Sequence, residues 1–457
     1  MSGIFCAYSA SGEPVLEEVY LGLFALQHRG QESAGIAWTS RGRASSLRGM
    51  GLLNSAIDQR LLAEEKAYCA IGHVRYLPVG LTEIQNVLPV CANYARGPIA
   101  IAHDGRVTNR AELTERLVRR GAIFHSATHS EVILHMMAQK PYMQPIDALI
   151  DTLRRLEGSY ATAVLLEDML IVARDPYGFS PLVLGVNEND GTYYAASESC
   201  ALDIVGAKLL RDVAPGEMVI INKKGMRSLR VGNRQTRLMH CAFEYVYTAR
   251  PDSIIDGRSV YEARKEMGRR LARSAPCPGV DLTSGMPDSG TTAAIGYAQE
   301  AGTPFELGVV RNRYVGRTFI QPTQKVRELG VKIKINPITH VFKGKKAAII
   351  DDSLVRGTTA KRTAEMLRGC GASEIHLRIA SPPILFPCRY GVDTRKKGIL
   401  AASRMTLDEL REYVGVDSLA YLGEEDLAAA VGMSENMLCT ACFTGRYLEG
   451  QVNKADE

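Results

Sequence analysis

Residues 347–359 read AAIIDDSLVRGTT, and this stretch decides the fold of the second half of the chain. Residues 347–350 are apolar and short enough for a buried strand; two acids, Asp351 and Asp352, end it. The polar loop SLVRGTT then enters TTAKRTAEMLRGCGA, which has helical periodicity. Carboxylates at the carboxyl end of such a strand lie where open α/β sheets bind ligands. Loop N–H groups, the Thr358 and Thr359 hydroxyls and the helix N-terminus suit a phosphate. The acids suit ribose hydroxyls or Mg²⁺, which prefers oxygen ligands and accompanies substrate phosphates. An acid pair alone is also common at strand ends of doubly wound sheets that bind nothing there.

Two neighbouring segments extend this reading. MPDSG at 286–290 follows another predicted strand, whose end loop could bring Ser289 to the acid pair. NRYVGRTFIQPTQ at 312–324 is polar and basic, and Arg313 and Arg317 would belong to a lid closing on an anionic substrate. Taken alone, that loop reads as a solvated surface.

Further out, strand and helix alternate from about residue 236, the βαβ rhythm of a parallel sheet. VDLTSGMPDSG precedes a helix at TTAAIGYAQEAG, and EIHLRIA follows the central helix as another strand. The first half differs. GPIAIAH, SYATAVLLEDMLIVARD, PLVLGV and GEMVIIN read as strands separated by turn signals such as ENDG. Amphipathic helices are expected near 112–120 and 130–139. Strands in runs with helices outside them predict an α+β sandwich over 1–235, an α/β domain over 236–457, and a linker in VGNRQTRLMH.

The bulk properties exclude several classes. A chain of 457 residues with 46% hydrophobic and 23% charged content is long enough for two cores. Its net charge of +5 comes from scattered Lys and Arg, which disfavours nucleic acid as a partner. Without a signal segment or an apolar run of about 18 residues, no membrane association is expected and a cytoplasmic location is. Ten cysteines in such a chain read as packing, metal-ligating or catalytic thiols before disulfides.

The 347–359 string resembles the phosphoribosyl-diphosphate (PRPP) motif of type I phosphoribosyltransferases. With CAFEYVYTARPDSIIDGRSVYEAR, the basic loop and SPPILFPCRYG, nearly the whole chain resembles the amidophosphoribosyltransferase family of purine biosynthesis. The resemblance implies an Ntn-hydrolase (class II glutamine amidotransferase) αββα sandwich followed by an α/β type I phosphoribosyltransferase domain. It implies that Asp351 and Asp352, with Ser289, hold Mg²⁺ and ribose, and that Ser353, Arg356, Gly357, Thr358 and Thr359 hold the 5-phosphate. The product would be 5-phosphoribosylamine, with pyrophosphate released. Nucleotide effectors and a homodimer or homotetramer are also implied.

Four cysteines carry a second signal. Cys439-Thr-Ala-Cys442 is a C-x-x-C, which alone fits a redox motif, half a zinc site or half an iron–sulfur site. Cys241 and Cys388 could simply be small buried residues. All four stand in the contexts where one branch of the family carries [4Fe–4S] ligands, so the resemblance implies a cluster on Cys241, Cys388, Cys439 and Cys442. The other six cysteines read as core packing.

The N-terminus departs from the pattern. The family's glutaminase uses a terminal Cys, an oxyanion-hole Asn, an Arg for the glutamine carboxylate and an Asp for its ammonium. Here Arg75, Arg29 and Gly105 are kept, but the nucleophile position holds Ser2, HDGR places Asp104 where the Asn belongs, and THSE places His129 where the Asp belongs. Leu77-Pro78 stand where Ser-Thr usually follows Arg-Tyr. An ionised carboxylate donates no hydrogen bond, and losing one oxyanion donor typically costs about 10² to 10³ in rate. The expectation is a silent or very weak glutaminase attached to a working transferase that uses ammonia. The alternatives are a transferase acting on another amine and a regulatory PRPP-binding pseudoenzyme.

Overall fold

The structure is a computed structural model that describes residues 2–40, 42–76, 83–231, 237–312, 335–392, 394 and 397–448. Leu77, Pro78, Arg313 and Arg317 lie outside these residues, as does the segment 232–236 that contains the expected domain boundary.

The first half is built from two antiparallel sheets. One runs, edge to edge, Lys208–Asp212, Val183–Val186, Tyr193–Ala196, Ser2–Tyr8, Cys69–Arg75, Ser33–Ser40 and Arg43–Met50. The other runs Gly225–Arg230, Glu217–Asn222, Met169–Arg174, Ala161–Leu166, Gly97–Asp104 and Val90–Tyr94. Alternation of side chains explains the stacking. Ile4, Cys6 and Tyr8 meet Ala100, Ala102 and Val172 in the layer between the sheets. Phe5 and Ala7 point outward, beneath the helix Leu16–Ala25. Ile99 and Ile101 point the other way, beneath Arg110–Val118, His129–Ala138 and Pro145–Leu153. The four-layer αββα sandwich is thus the expected one.

The second half carries a parallel sheet in the order Leu282–Gly285, Lys346–Asp351, Glu374–Ile379, Ser418–Tyr421. Ala348 and Ile350 face the helices Val260–Ser274 and Thr291–Ala301. Ala347 and Ile349 face Thr358–Gly369 and Leu407–Val414. With both faces covered, the central strand reads as continuously apolar.

A buried polar seam joins the halves. Arg174 binds Asp256 at 2.7 Å, and Ser159 Oγ donates to the Tyr390 carbonyl. Gly105 has φ +110, and a Cβ there would lie 2.5 Å from the Ser159 carbonyl oxygen. Glycine at 105 therefore lets the turn after the Gly97–Asp104 strand pass close against Ser159 within the first half.

Candidate functional site

At the carboxyl end of the central parallel strand, Gly285 pairs with Ile350, which sets the MPDSG loop beside the acid pair. Asp352 is buried and accepts hydrogen bonds from Ser353 Oγ at 2.5 Å and from the Ser289 side chain. The Asp352 backbone N–H donates to Asp351 Oδ1 at 2.9 Å. Ser289, predicted from sequence to join the acids, does so. Burial, then the charge of Asp352, pushes the Asp351 carboxyl up. Burial also pushes Asp352 up, against Ser289, Ser353 and the Arg264 guanidinium. Two adjacent carboxylates raised by burial, Asp351 also by the charge of Asp352, form a site that a divalent cation would relieve.

The loop then turns through Gly357, at φ +75, into the helix Thr358–Gly369. Glycine meets this left-handed φ without a Cβ penalty. Arg356, Thr358 and Thr359 are exposed at the helix start, where backbone N–H groups remain for an anion. The residues expected to hold a phosphate are therefore brought together locally, from one continuous stretch.

The N-terminal residues also converge. Ser2 begins a central strand and stands opposite Arg75 on the neighbouring one. His103 and Asp104 end the Gly97–Asp104 strand, and His129 opens the helix His129–Ala138, its ring 5.3 Å from that of His103. Burial is the main cause that holds both imidazoles below their ordinary range, His103 at about 4. His103 and the Arg75, Arg110 and Arg106 charges push His129 further in the same direction. Both rings are therefore neutral at pH 7, and His129 offers no negative charge.

Arg29 differs from the expectation. It is fully buried, and its guanidinium is committed: Nε donates to the Ser2 carbonyl at 2.8 Å, Nη1 to Glu198 at 2.7 Å and Glu244 at 2.8 Å, and Nη2 to Glu244 at 2.7 Å. Asp104 lies 3.5 Å from Nη2. Arg29 is thus an internal tie behind the pocket rather than a group presented to an amino acid. The reason is charge: three carboxylates surround it, two of them invisible as its partners in the sequence. Glu198 and Glu244 are the site residues that sequence reading missed. Glu244, three residues beyond Cys241, was the one with a local signal.

The four predicted cysteines line one cavity, together with Asp104, Gly105, Glu244 and Tyr390. Residues 240–241 and 438–439 form a short parallel ladder in which Cys241 is the direct partner of Cys439. The Cys442 carbonyl accepts from the N–H groups of Leu385 and Phe386, tying the C-x-x-C turn to the segment that carries Cys388. Burial, then Glu244 and the other three thiols, drives the Cys241 thiol up, and Cys439 is pushed up to about 12. Among the described residues no three His, Cys, Asp or Glu side chains are grouped to hold a single metal ion. Of the remaining cysteines, Cys6, Cys69, Cys200 and Cys277 are buried as expected, whereas Cys91 and Cys370 are partly exposed.

No helix among the described residues is long and apolar enough to cross a membrane. Residues 85–203 match the sequence profile of a glutamine amidotransferase domain. The chain is 44% identical over 450 residues to the amidophosphoribosyltransferase of Synechococcus elongatus, covering 97% of this chain and 90% of that one. It is 42% identical to a chloroplastic amidophosphoribosyltransferase of Arabidopsis thaliana, covering 94% and 76%. The solved glutamine PRPP amidotransferase of B. subtilis, complexed with ADP and GMP, superposes with a TM-score of 0.91 at 42% identity over 97% of each chain. The chain belongs to the amidophosphoribosyltransferase family.

Proposed function

We propose that this protein forms 5-phosphoribosylamine from PRPP with ammonia, rather than glutamine, as its direct nitrogen source. The observation that carries the reading is an asymmetry: one half has the complete acid pair, Ser289 and glycine-turn cradle, while the other has Ser2, Asp104 and His129 at its three chemical positions. In the transferase half, Asp351, Asp352 and Ser289 would hold Mg²⁺, whose chemistry is to neutralise charge on the departing pyrophosphate. The Gly357 turn and the start of the following helix hold the 5-phosphate, and Asp352 orients the ribose hydroxyls. The ammonia lone pair forms the C1–N bond as the C1–O bond to pyrophosphate breaks, and one proton leaves the new ammonium to water. Holding both reactants in one closed site supplies most of the acceleration this requires.

In the other half, Ser2 is a weaker nucleophile than a thiol. Asp104 brings a carboxylate, paired with Arg29, where a donor would be needed. Neutral His129 offers an α-ammonium no opposite charge.

The four cysteines fit a [4Fe–4S] cluster. Their thiols line one cavity, and as thiolates they would hold the cluster there. Such a group would link the strand at Cys241, the loop at Cys388 and the turn at Cys439 and Cys442. ADP and GMP occupy the B. subtilis relative, so adenine and guanine nucleotides are the expected effectors here, on a homo-oligomer.

The test is anaerobic pyrophosphate release from PRPP and Mg²⁺ with ammonium at raised pH, with glutamine, or with neither. Release with ammonium and only a trace with glutamine supports the reading. Equal rates would overturn the interpretation of Asp104 and His129, and no release with either would point to another acceptor or a regulatory subunit.

A further inference from the structure

We propose that an open groove at the seam between the halves, lined by Asp212, His240 and Arg258, binds a free α-amino acid with an apolar side chain. The groove encloses about 460 Å³, within the range of small-molecule sites, and shares no residue with the acid-pair site or with the cavity of the four cysteines. The strand end and turn at 212–215 form one wall, from the first half. Arg258 and residues 432–437 form the other, from the second half.

Two groups in the groove lack a cationic donor. His240 is only 5% exposed, and its Nδ1 lies 2.8 Å from Asp256 Oδ2. Nδ1–H donates to that carboxylate, so Nε2 of the neutral ring is an acceptor, and it has no partner among the described residues. Asp212 lines the same groove. Its Oδ1 accepts from the Asp256 backbone N–H at 2.8 Å, and no described cation stands within ion-pair distance of it. Burial, then the charge of Asp256, pushes the Asp212 carboxyl up. A buried acceptor and a carboxylate short of a counter-ion are both completed by an ammonium, which carries three N–H donors.

The opposite charge comes from Arg258, which is exposed and makes no hydrogen bond or ion pair among the described residues. Its guanidinium lies against Gly432, where a Cβ would stand 3.3 Å from Nη1. Gly432 ends the helix Glu424–Val431 at φ +73, and its missing side chain leaves the guanidinium room along the groove wall. A carboxylate matches the planar arginine fork. Met433 and Met437, with Pro215 on the other wall, supply apolar surface, and thioether chains adapt to groups of differing shape. An ammonium, a carboxylate and an apolar side chain on one small frame meet all three demands. Since both halves contribute, an occupied groove ties them together.

The probe is L-leucine, titrated into the full-length protein by calorimetry. It is compared with isocaproate, which lacks the ammonium, and isoamylamine, which lacks the carboxylate. Leucine is expected to bind at least about tenfold tighter than either and to raise the melting temperature. Arg258→Gln removes no hydrogen bond from the fold, so the melt of the unliganded variant should be unchanged. It should weaken leucine at least about tenfold and spare isoamylamine. Asp212→Asn should weaken leucine by as much and spare isocaproate. Absence of leucine binding to the unaltered protein overturns the proposal, as does equal binding of either comparison compound. Leucine binding that Arg258→Gln leaves unchanged lies in another pocket and also overturns it. None of these outcomes depends on which nitrogen source the transferase half uses.

Discussion

Arg29 and Glu244 lie 215 positions apart in sequence and share a two-pronged ion pair at 2.7 and 2.8 Å in the buried seam between the halves. A pair sealed from water contributes less than its Coulomb energy suggests, but breaking it strands a charge. Glu244→Ala should cost about 3–5 kcal/mol in urea unfolding. Replacing Arg29 as well should cost more still, because the buried Glu198 then loses its guanidinium partner too. A double variant no less stable than the single one would mean that the seam contributes packing rather than charge.

The same seam sets an acid limit. Burial would raise Glu198, but His28 and Arg29 hold it well below the usual carboxylate range. Burial likewise opposes Arg174 and the hydrogen bond from His240 at Asp256, and those two partners prevail. A depressed folded pKa gives stability that is complete above the unfolded value, about 4, and is lost as pH falls further. The seam's share of the unfolding free energy should therefore hold steady from pH 7 to about 5 and fall steeply below 4, while His103 and His129, neutral in the fold, add a loss that begins below about pH 6.5. Glu198→Gln should flatten that fall.

Asp351 and Asp352 should behave in the opposite sense. Their raised pKa values mean that the ionised pair disfavours the folded state as pH rises toward neutrality. Asp351→Asn should raise the melting temperature of the metal-free protein slightly while lowering PRPP turnover by at least about a hundredfold. Mg²⁺ at 100 times its Kd should stabilise the unaltered protein by about 2.7 kcal/mol and the variant hardly at all.

Protein prepared without oxygen should be brown, with about four irons per chain. Cys439→Ser removes the thiol beside Cys241 and should yield colourless protein. Iron-free protein from an anaerobic preparation would return the four cysteines to packing.

Restoring one element of the N-terminal site should do little, because nucleophile, oxyanion donor and ammonium partner act as a unit. Asp104→Asn alone should leave glutamine-driven turnover at its starting level. Ser2→Cys, Asp104→Asn and His129→Asp together should raise it by at least about tenfold. A single substitution that matches the triple one would mean the remaining two positions are indifferent.

Sequence alone carried everything whose chemistry is local. The strand, acid pair, glycine turn and helix at 347–359 are contiguous, so their order along the chain is their arrangement in space, and Thr358–Gly369 forms where its periodicity predicts. The short apolar run GPIAIAH likewise announced a strand, and Gly97–Asp104 is buried on both faces. Tertiary structure decided what long-range electrostatics governs. Residue type placed Arg29 near a substrate, but only folding brings Glu198 and Glu244 around it and turns a cation into a tie between the halves. The Cys241–Cys439 pairing and the contact between the His103 and His129 rings arise the same way. Close packing sets groups remote in sequence within a few ångströms in a medium of low dielectric, and no local pattern records which groups those are.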